Sequence, residues 1–86
     1  MFLHLGQETI VRHDYIIGIF DMDNTTISKN SRTFLNLAEK RKEVVNVSYE
    51  LPKSFVLCNS NKKNTVYISQ LSSATLQKRA ELKQII

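Results

Sequence analysis

Residues 15–26 read Tyr15-Ile16-Ile17-Gly18-Ile19-Phe20-Asp21-Met22-Asp23-Asn24-Thr25-Thr26, and the reading of this stretch decides the fold. Its first six residues form the longest apolar run in the chain, rich in β-branched and aromatic side chains. A run this short, closed by Asp-x-Asp-Asn, suits a buried strand and not a helix. In so small a chain, that strand is expected at the middle of the sheet. Asp21, Asp23 and Asn24 then end it and turn the chain. Gly18 inside the run predicts a bulge, or a place where another backbone comes close.

Working outward, Phe2-Leu3-His4-Leu5 and Thr9-Ile10-Val11 read as two more strands, separated by a turn at Gly6. With the central run they predict an antiparallel meander. Downstream, Ser28, Asn30 and Ser31 are competent N-caps. They precede an amphipathic helix of about three turns, in which Phe34, Leu35, Leu37 and Ala38 form the apolar stripe. Lys40, Arg41 and Lys42 gather in its last turn, where cations suit the helix dipole. Val44–Tyr49 alternates as a strand until Pro52 breaks the pattern. Ser54–Cys58 and Thr65–Ser69 flank the polar stretch 59–64 as a hairpin. The last helix begins after Ser72, with Leu71 and Leu76 in the positions of a hydrophobic staple, and runs to about Lys83. The predicted order is β-β-β-α-β-β-β-α, an α+β class with a small, mostly antiparallel sheet and one domain over 1–86.

The 86 residues leave room for one small core, and 42% apolar with 23% charged residues is a globular composition, not a disordered one. A monomer of this size is marginal, which favours self-association. Cys58 is the only cysteine, so it forms no internal disulfide, fits a reducing cytoplasm, and reads as a small core residue. Met1–Leu5 is too short for a secretion signal, and no apolar run approaches membrane-spanning length, so a cytoplasmic protein is expected.

Catalysis finds little support. Asp21-x-Asp23-x-Thr25 looks like the opening motif of haloacid-dehalogenase-type phosphatases, whose first Asp is the nucleophile and whose second is the general acid. Those enzymes need further carboxylates for an octahedral Mg2+ site. After Asp23 the chain has no Asp, and Glu39, Glu43, Glu50 and Glu81 stand singly. His4 and His13 form no argued triad, one Cys with two scattered His is short of a zinc set, and two glycines make no phosphate loop. The expectation is a non-enzyme with no catalytic residue, metal, cofactor or small-molecule substrate.

The net charge of +4 is uneven. Residues 1–30 carry Arg12 and Lys29 against Glu8, Asp14, Asp21 and Asp23, a net of −2; residues 31–86 carry ten bases against four acids, a net of +6. Lys53 sits in a break between strands, Lys62-Lys63 at a hairpin tip, and Lys78-Arg79 on a helix. Basic side chains projecting on one face are what phosphate neutralisation needs. The same residues also serve as scattered solubilising charge.

Taken in order, several segments resemble one known family. They are Phe2-Leu3-His4-Leu5-Gly6, Ile16-Ile17-Gly18-Ile19-Phe20-Asp21, Pro52-Lys53-Ser54 and Leu71-Ser72-Ser73-Ala74-Thr75-Leu76-Gln77-Lys78-Arg79-Ala80. Together they are similar to the small extracellular-matrix regulatory proteins of the RemA and RemB type, closer to the RemB branch, over nearly the whole chain. The resemblance implies a regulator of biofilm-matrix genes that assembles into a ring-like homo-oligomer and presents bases to DNA. RemA-like proteins carry an Arg pair in the loop after the Tyr that corresponds to Tyr49. Here Leu51-Pro52 occupy that loop with Lys53 as its base, and Tyr15 replaces a further Arg, so neither arginine role carries over. The reading is a cytoplasmic DNA-binding transcriptional regulator, acting as a homo-oligomer, with Lys53, Arg12, Lys62 and Lys63 on backbone phosphates. The alternative is an assembly module that binds no nucleic acid.

Overall fold

The computed structural model describes residues 2–22 and 29–85, with side chains described for 2–22 and 30–80. In chain order the elements are β1 (Phe2–Gly6), β2 (Thr9–Arg12), β3 (Ile16–Asp21), α1 (Lys29–Lys40), β4 (Val44–Asn46), β5 (Ser54–Ser60), β6 (Lys63–Ser69) and α2 (Ser73–Ile85). This is the α+β order expected from the sequence. Three strand pairings are antiparallel and one, β4 with β6, is parallel.

The expected meander is not formed. β1 and β2 make a separate two-stranded sheet, while β3 joins a four-stranded sheet of order β3-β5-β6-β4. A 3-10 turn, His13–Tyr15, stands between β2 and β3 and sends the chain from one sheet to the other. The apolar run therefore lies at an edge, and the centre belongs to β5 and β6. β5 holds Phe55, Val56 and Cys58, all at most 5% exposed. They point alternately to the two faces, and both faces are covered.

On one face, Val56 and Cys58 pack with Leu3, Leu5, Val11, Val47 and Leu76, so the β1–β2 hairpin and α2 cover it together. On the other, Phe55 and Val66 pack with Ala38 and Leu35 of α1. β3 contributes to both faces. Ile16 and Ile19 join the first cluster, while Phe20 stacks on Phe55 with ring centroids 4.9 Å apart. The bulge anticipated at Gly18 is present: Ile16 opposes Cys58 and Gly18 opposes Leu57, leaving Ile17 as the extra residue. A Cβ on Gly18 would lie 2.8 Å from the Phe20 ring, so glycine makes room for that ring.

The helix ends are decided locally. Of the three caps proposed for α1, Asn30 and Ser31 lie inside its first turn, and Ser28 falls outside the described residues. Its C-terminus closes with Glu43 N–H donating to Ala38 O (2.9 Å) and Lys42 N–H to Glu39 O (3.1 Å). That is the Schellman pattern, with Lys42 at φ +59° in the place where glycine is usual. At α2 the Thr75 N–H donates to the Ser72 hydroxyl at 3.1 Å, the expected N-cap, and Leu71 and Leu76 share the first core cluster.

A buried polar node ties the layers. Ser54 and Ser69 face each other across β5 and β6 and are fully buried. Ser69 Oγ donates to Leu5 O at 2.6 Å and accepts from Leu71 N–H at 3.0 Å; Ser54 Oγ donates to Leu71 O at 2.8 Å. One hydroxyl thus joins the first hairpin to the sheet and to the entry of α2. Both hydroxyls are satisfied, as burial requires.

A candidate nucleic-acid interface

The sheet has two ends, and the four sequence-predicted cations divide between them. β5 and β6 meet at the hairpin end. The ladder continues to Ser60 opposite Lys63, so only Asn61 and Lys62 form the loop, not the whole polar stretch 59–64. Both have positive φ, +53° and +65°, the signature of the type I′ turn that suits twisted antiparallel strands. Asn59 Nδ2 donates to Asn64 Oδ1 at 2.7 Å just below, bracing the turn. Lys62 therefore projects from the tip, and Lys63 opens β6 beside it; both are exposed. Asn suits the first of these positions, but Lys in the second gives up about 1 kcal/mol relative to glycine.

Arg12 lies toward the same end, because the 3-10 turn that follows it leads into Ile16, paired with Cys58. It is exposed, but its guanidinium donates to Asp14 at 3.2 Å and stands 5.2 Å from the Tyr15 ring centroid. An ion pair this exposed holds weakly and exchanges readily for another anion.

Lys53 occupies the opposite end. Eight residue steps along β5 separate Lys53 from Asn61, so Lys53 stands roughly 26 Å from the hairpin tip at about 3.3 Å per step. Its backbone is pinned: its N–H donates to Ser69 O at 2.9 Å, and its carbonyl accepts from Met22 N–H at 2.8 Å. The strand expected over Val44–Tyr49 stops at Asn46, because the chain must cross the end of β6 to reach β5. Val47 N–H bonds Ile68 O at 2.9 Å, and the Ser48 hydroxyl accepts from Glu50 N–H at 3.0 Å, which shapes the crossing loop. That loop presents Tyr49 fully to solvent and Leu51 at 77% exposure, next to Lys53. Sequence reasoning took Tyr49 for a strand residue and Leu51 for part of a break. The available signal was an apolar residue inside an otherwise polar turn.

Other groups are committed elsewhere. Arg79 donates to the His4 carbonyl at 3.2 Å and to its Nδ1 at 3.4 Å, fastening α2 to β1, so it is not a free helix-surface cation. His4 Nε2 donates to Gln7 O at 2.7 Å, a structural role for this histidine. Cys58 is buried in the core, and burial pushes its thiol up to about 11, which makes it inert as a nucleophile at neutral pH. Among the described residues, no three His, Cys, Asp or Glu side chains cluster as metal ligands. Asp21 closes β3 opposite Ser54, while Asp23 lies outside the described residues. No described helix is long and apolar enough to cross a membrane.

The structure thus brings Arg12, Lys62 and Lys63 toward one end and sets Lys53 apart at the other. These four cations therefore form two separate points, not one cluster. Comparison with known proteins adds two findings. The family model described as RemA-like, extracellular matrix regulatory protein A-like, matches residues 2–80. The curated extracellular matrix regulatory protein B of Bacillus subtilis (strain 168) is 40% identical over 81 residues, covering 94% of this chain and 91% of that protein.

Proposed function

The chain belongs to the RemA-like family of extracellular matrix regulatory proteins, and from that premise we propose that it is a non-enzymatic transcriptional regulator of matrix genes, binding duplex DNA through its backbone phosphates as a cytoplasmic homo-oligomer. The observation that carries the reading is Lys62. A lysine at φ +65° on a hairpin tip holds a cation where glycine would be more stable, and backbone strain of this kind is kept at sites that use it. Lys63 beside it and Arg12 toward the same end add charge, and Lys53 makes a second contact point. Two separated points per subunit, each worth little alone, gain affinity when repeated around an assembly. Bases on phosphates would position the protein without reading sequence.

The second reading, an assembly module without nucleic acid, is favoured by Tyr49 and Leu51. A fully exposed tyrosine beside an exposed leucine is the chemistry of a protein-interface anchor. A gel shift with duplex DNA at low and physiological salt separates the two, with wild type beside Lys53→Ala and a Lys62→Ala/Lys63→Ala double variant. The regulator retards DNA, loses affinity steeply with salt, and weakens with each variant while its solution mass is unchanged. An oligomer that leaves DNA unmoved at low salt refutes DNA binding and leaves the assembly module.

A further inference from the structure

β4 ends the four-stranded sheet on one side, and the elements beside it, α1, β6 and the crossing loop 47–53, all lie within the described residues. Its inner ladder is complete. Val66 N–H donates to Glu43 O at 2.8 Å and Val47 N–H to Ile68 O at 2.9 Å, with Val45 opposite Tyr67 between them. In a parallel pair alternate residues of a strand serve the neighbour, so Glu43, Val45 and Val47 bond β6. The backbone N–H and C=O of Val44 and Asn46 face outward, and among the described residues no group bonds them. Two clefts border this edge. One, of about 330 Å³, is lined by Glu39, Lys42, Val44, Asn46 and Ile68. The other, of about 280 Å³, is lined by Asn46 and Ile68 again and by Tyr49, Glu50 and Pro52. The shared residues make them one groove, running from the end of α1 along β4 to the crossing loop.

We propose that this groove binds an extended, uncharged or basic peptide segment of another protein, which adds to β4 as a further strand. A peptide on a sheet edge takes affinity from main-chain hydrogen bonds and specificity from pockets for alternate side chains. Val44 and Asn46 supply the donors and acceptors, and Val44, Ile68 and Pro52 give the groove its apolar lining. Charge selects the chemistry of the occupant. In a chain of net charge +4, the groove is lined by Glu39 and Glu50 against Lys42 alone. Neither carboxylate is held in an ion pair among the described residues. That balance repels a phosphate backbone and suits a basic side chain beside Glu50. Area selects its size. A strand of three residues, only two of them facing outward, falls well short of the roughly 800 Å² that each partner gives to a stable interface between folded proteins. A short segment fits it, and a second folded copy does not. The site is separate from DNA contact, because Lys53, Arg12, Lys62 and Lys63 all lie outside the lining.

The test selects from a displayed library of random heptapeptides on the immobilised full-length chain. The enriched peptide is then titrated into the isotope-labelled chain by NMR, with Asn46→Pro and Glu50→Lys beside wild type. Asn46→Pro removes only an outward N–H, a place where edge strands tolerate proline. Glu50→Lys changes an exposed side chain and leaves the Glu50 N–H bond to Ser48 in place, so it decides the question however Asn46→Pro folds. The expected selection is of peptides with β-branched residues at alternate positions and Lys or Arg at one end. Their binding should shift the amides of Val44, Asn46 and Tyr49, weaken about tenfold in Asn46→Pro, and weaken about threefold in Glu50→Lys. A library without enriched sequences, shifts that map to another surface, or affinity unchanged in Glu50→Lys overturns the proposal. A solution mass that falls in Asn46→Pro shows that a second copy occupies the edge, and overturns it as well.

Discussion

Replacing Lys62 by glycine should change stability and DNA affinity in opposite directions. Lys62 holds φ +65° in the two-residue Asn61-Lys62 turn, where a side chain costs about 1–2 kcal/mol relative to the right-handed region. Glycine removes that cost but gives back part of it through the larger entropy of its unfolded chain, so the net gain is about 1 kcal/mol. For a domain of this size that raises the melting temperature by roughly 4–8 °C. The same substitution removes one phosphate contact per subunit. Each contact contributes about 0.9 to the slope of log affinity against log salt, so between 50 and 200 mM salt the variant should lose about 3.5-fold less affinity per engaged subunit than wild type. The assays are a thermal melt by circular dichroism at fixed protein concentration and a salt titration of DNA binding by fluorescence anisotropy. A Lys62→Gly variant that is less stable than wild type would refute the account of the turn. A stabilised variant with an unchanged salt slope would refute the assignment of Lys62 to phosphate.

Lys42→Gly relieves the same kind of strain at the Schellman end of α1 and should also stabilise by about 1 kcal/mol. The measurement is a urea titration showing a raised midpoint at unchanged slope. Ser69→Ala leaves the Leu5 carbonyl and the Leu71 N–H without their buried partner. It should cost about 2–4 kcal/mol and speed amide exchange in β1 and β2; a loss under about 0.5 kcal/mol, the scale of an unremarkable surface substitution, would show that the hydroxyl does not bind the layers. The Cys58 thiol rises from 9.0 to about 11 because it is buried. The unfolded chain therefore ionises first, and stability contributed by the neutral thiol is fully present below pH 9 and is lost between pH 9 and 11. Tyr67 is also raised, by its own burial and then by the neighbouring Cys58. Denaturant melts across this window should show Cys58→Ala losing less stability with pH than wild type; equal losses would assign the effect to other groups.

Signals that act over a few residues were legible in the sequence. The serine cap of α2, the β5–β6 hairpin, the bulge beside Gly18, the burial of Cys58 and the order of strands and helices all follow from neighbours in the chain. Each depends on turn chemistry, capping or side-chain periodicity, which operate before any distant contact forms. The resemblance to the extracellular matrix regulators was legible for a related reason, since the matching segments keep their order along the chain.

Partnership between distant segments was not legible, and it decided the positions that matter for function. The Tyr15–Phe20 run is as apolar as a central strand, yet it ends at the sheet edge because β5, buried on both faces, takes the middle. Val44–Tyr49 alternates like a strand, but after Val47, which still bonds Ile68 of β6, the chain leaves the sheet to cross β6, which is what exposes Tyr49 and Leu51 beside Lys53. Sequence proximity likewise says nothing of Arg12 lying toward the same end as Lys62, or of Lys53 standing at the other. Composition and local pattern determined which elements form and how much charge they carry. Only the packing of residues far apart in the chain decided which strands lie at the sheet's edges and at which end each cation stands.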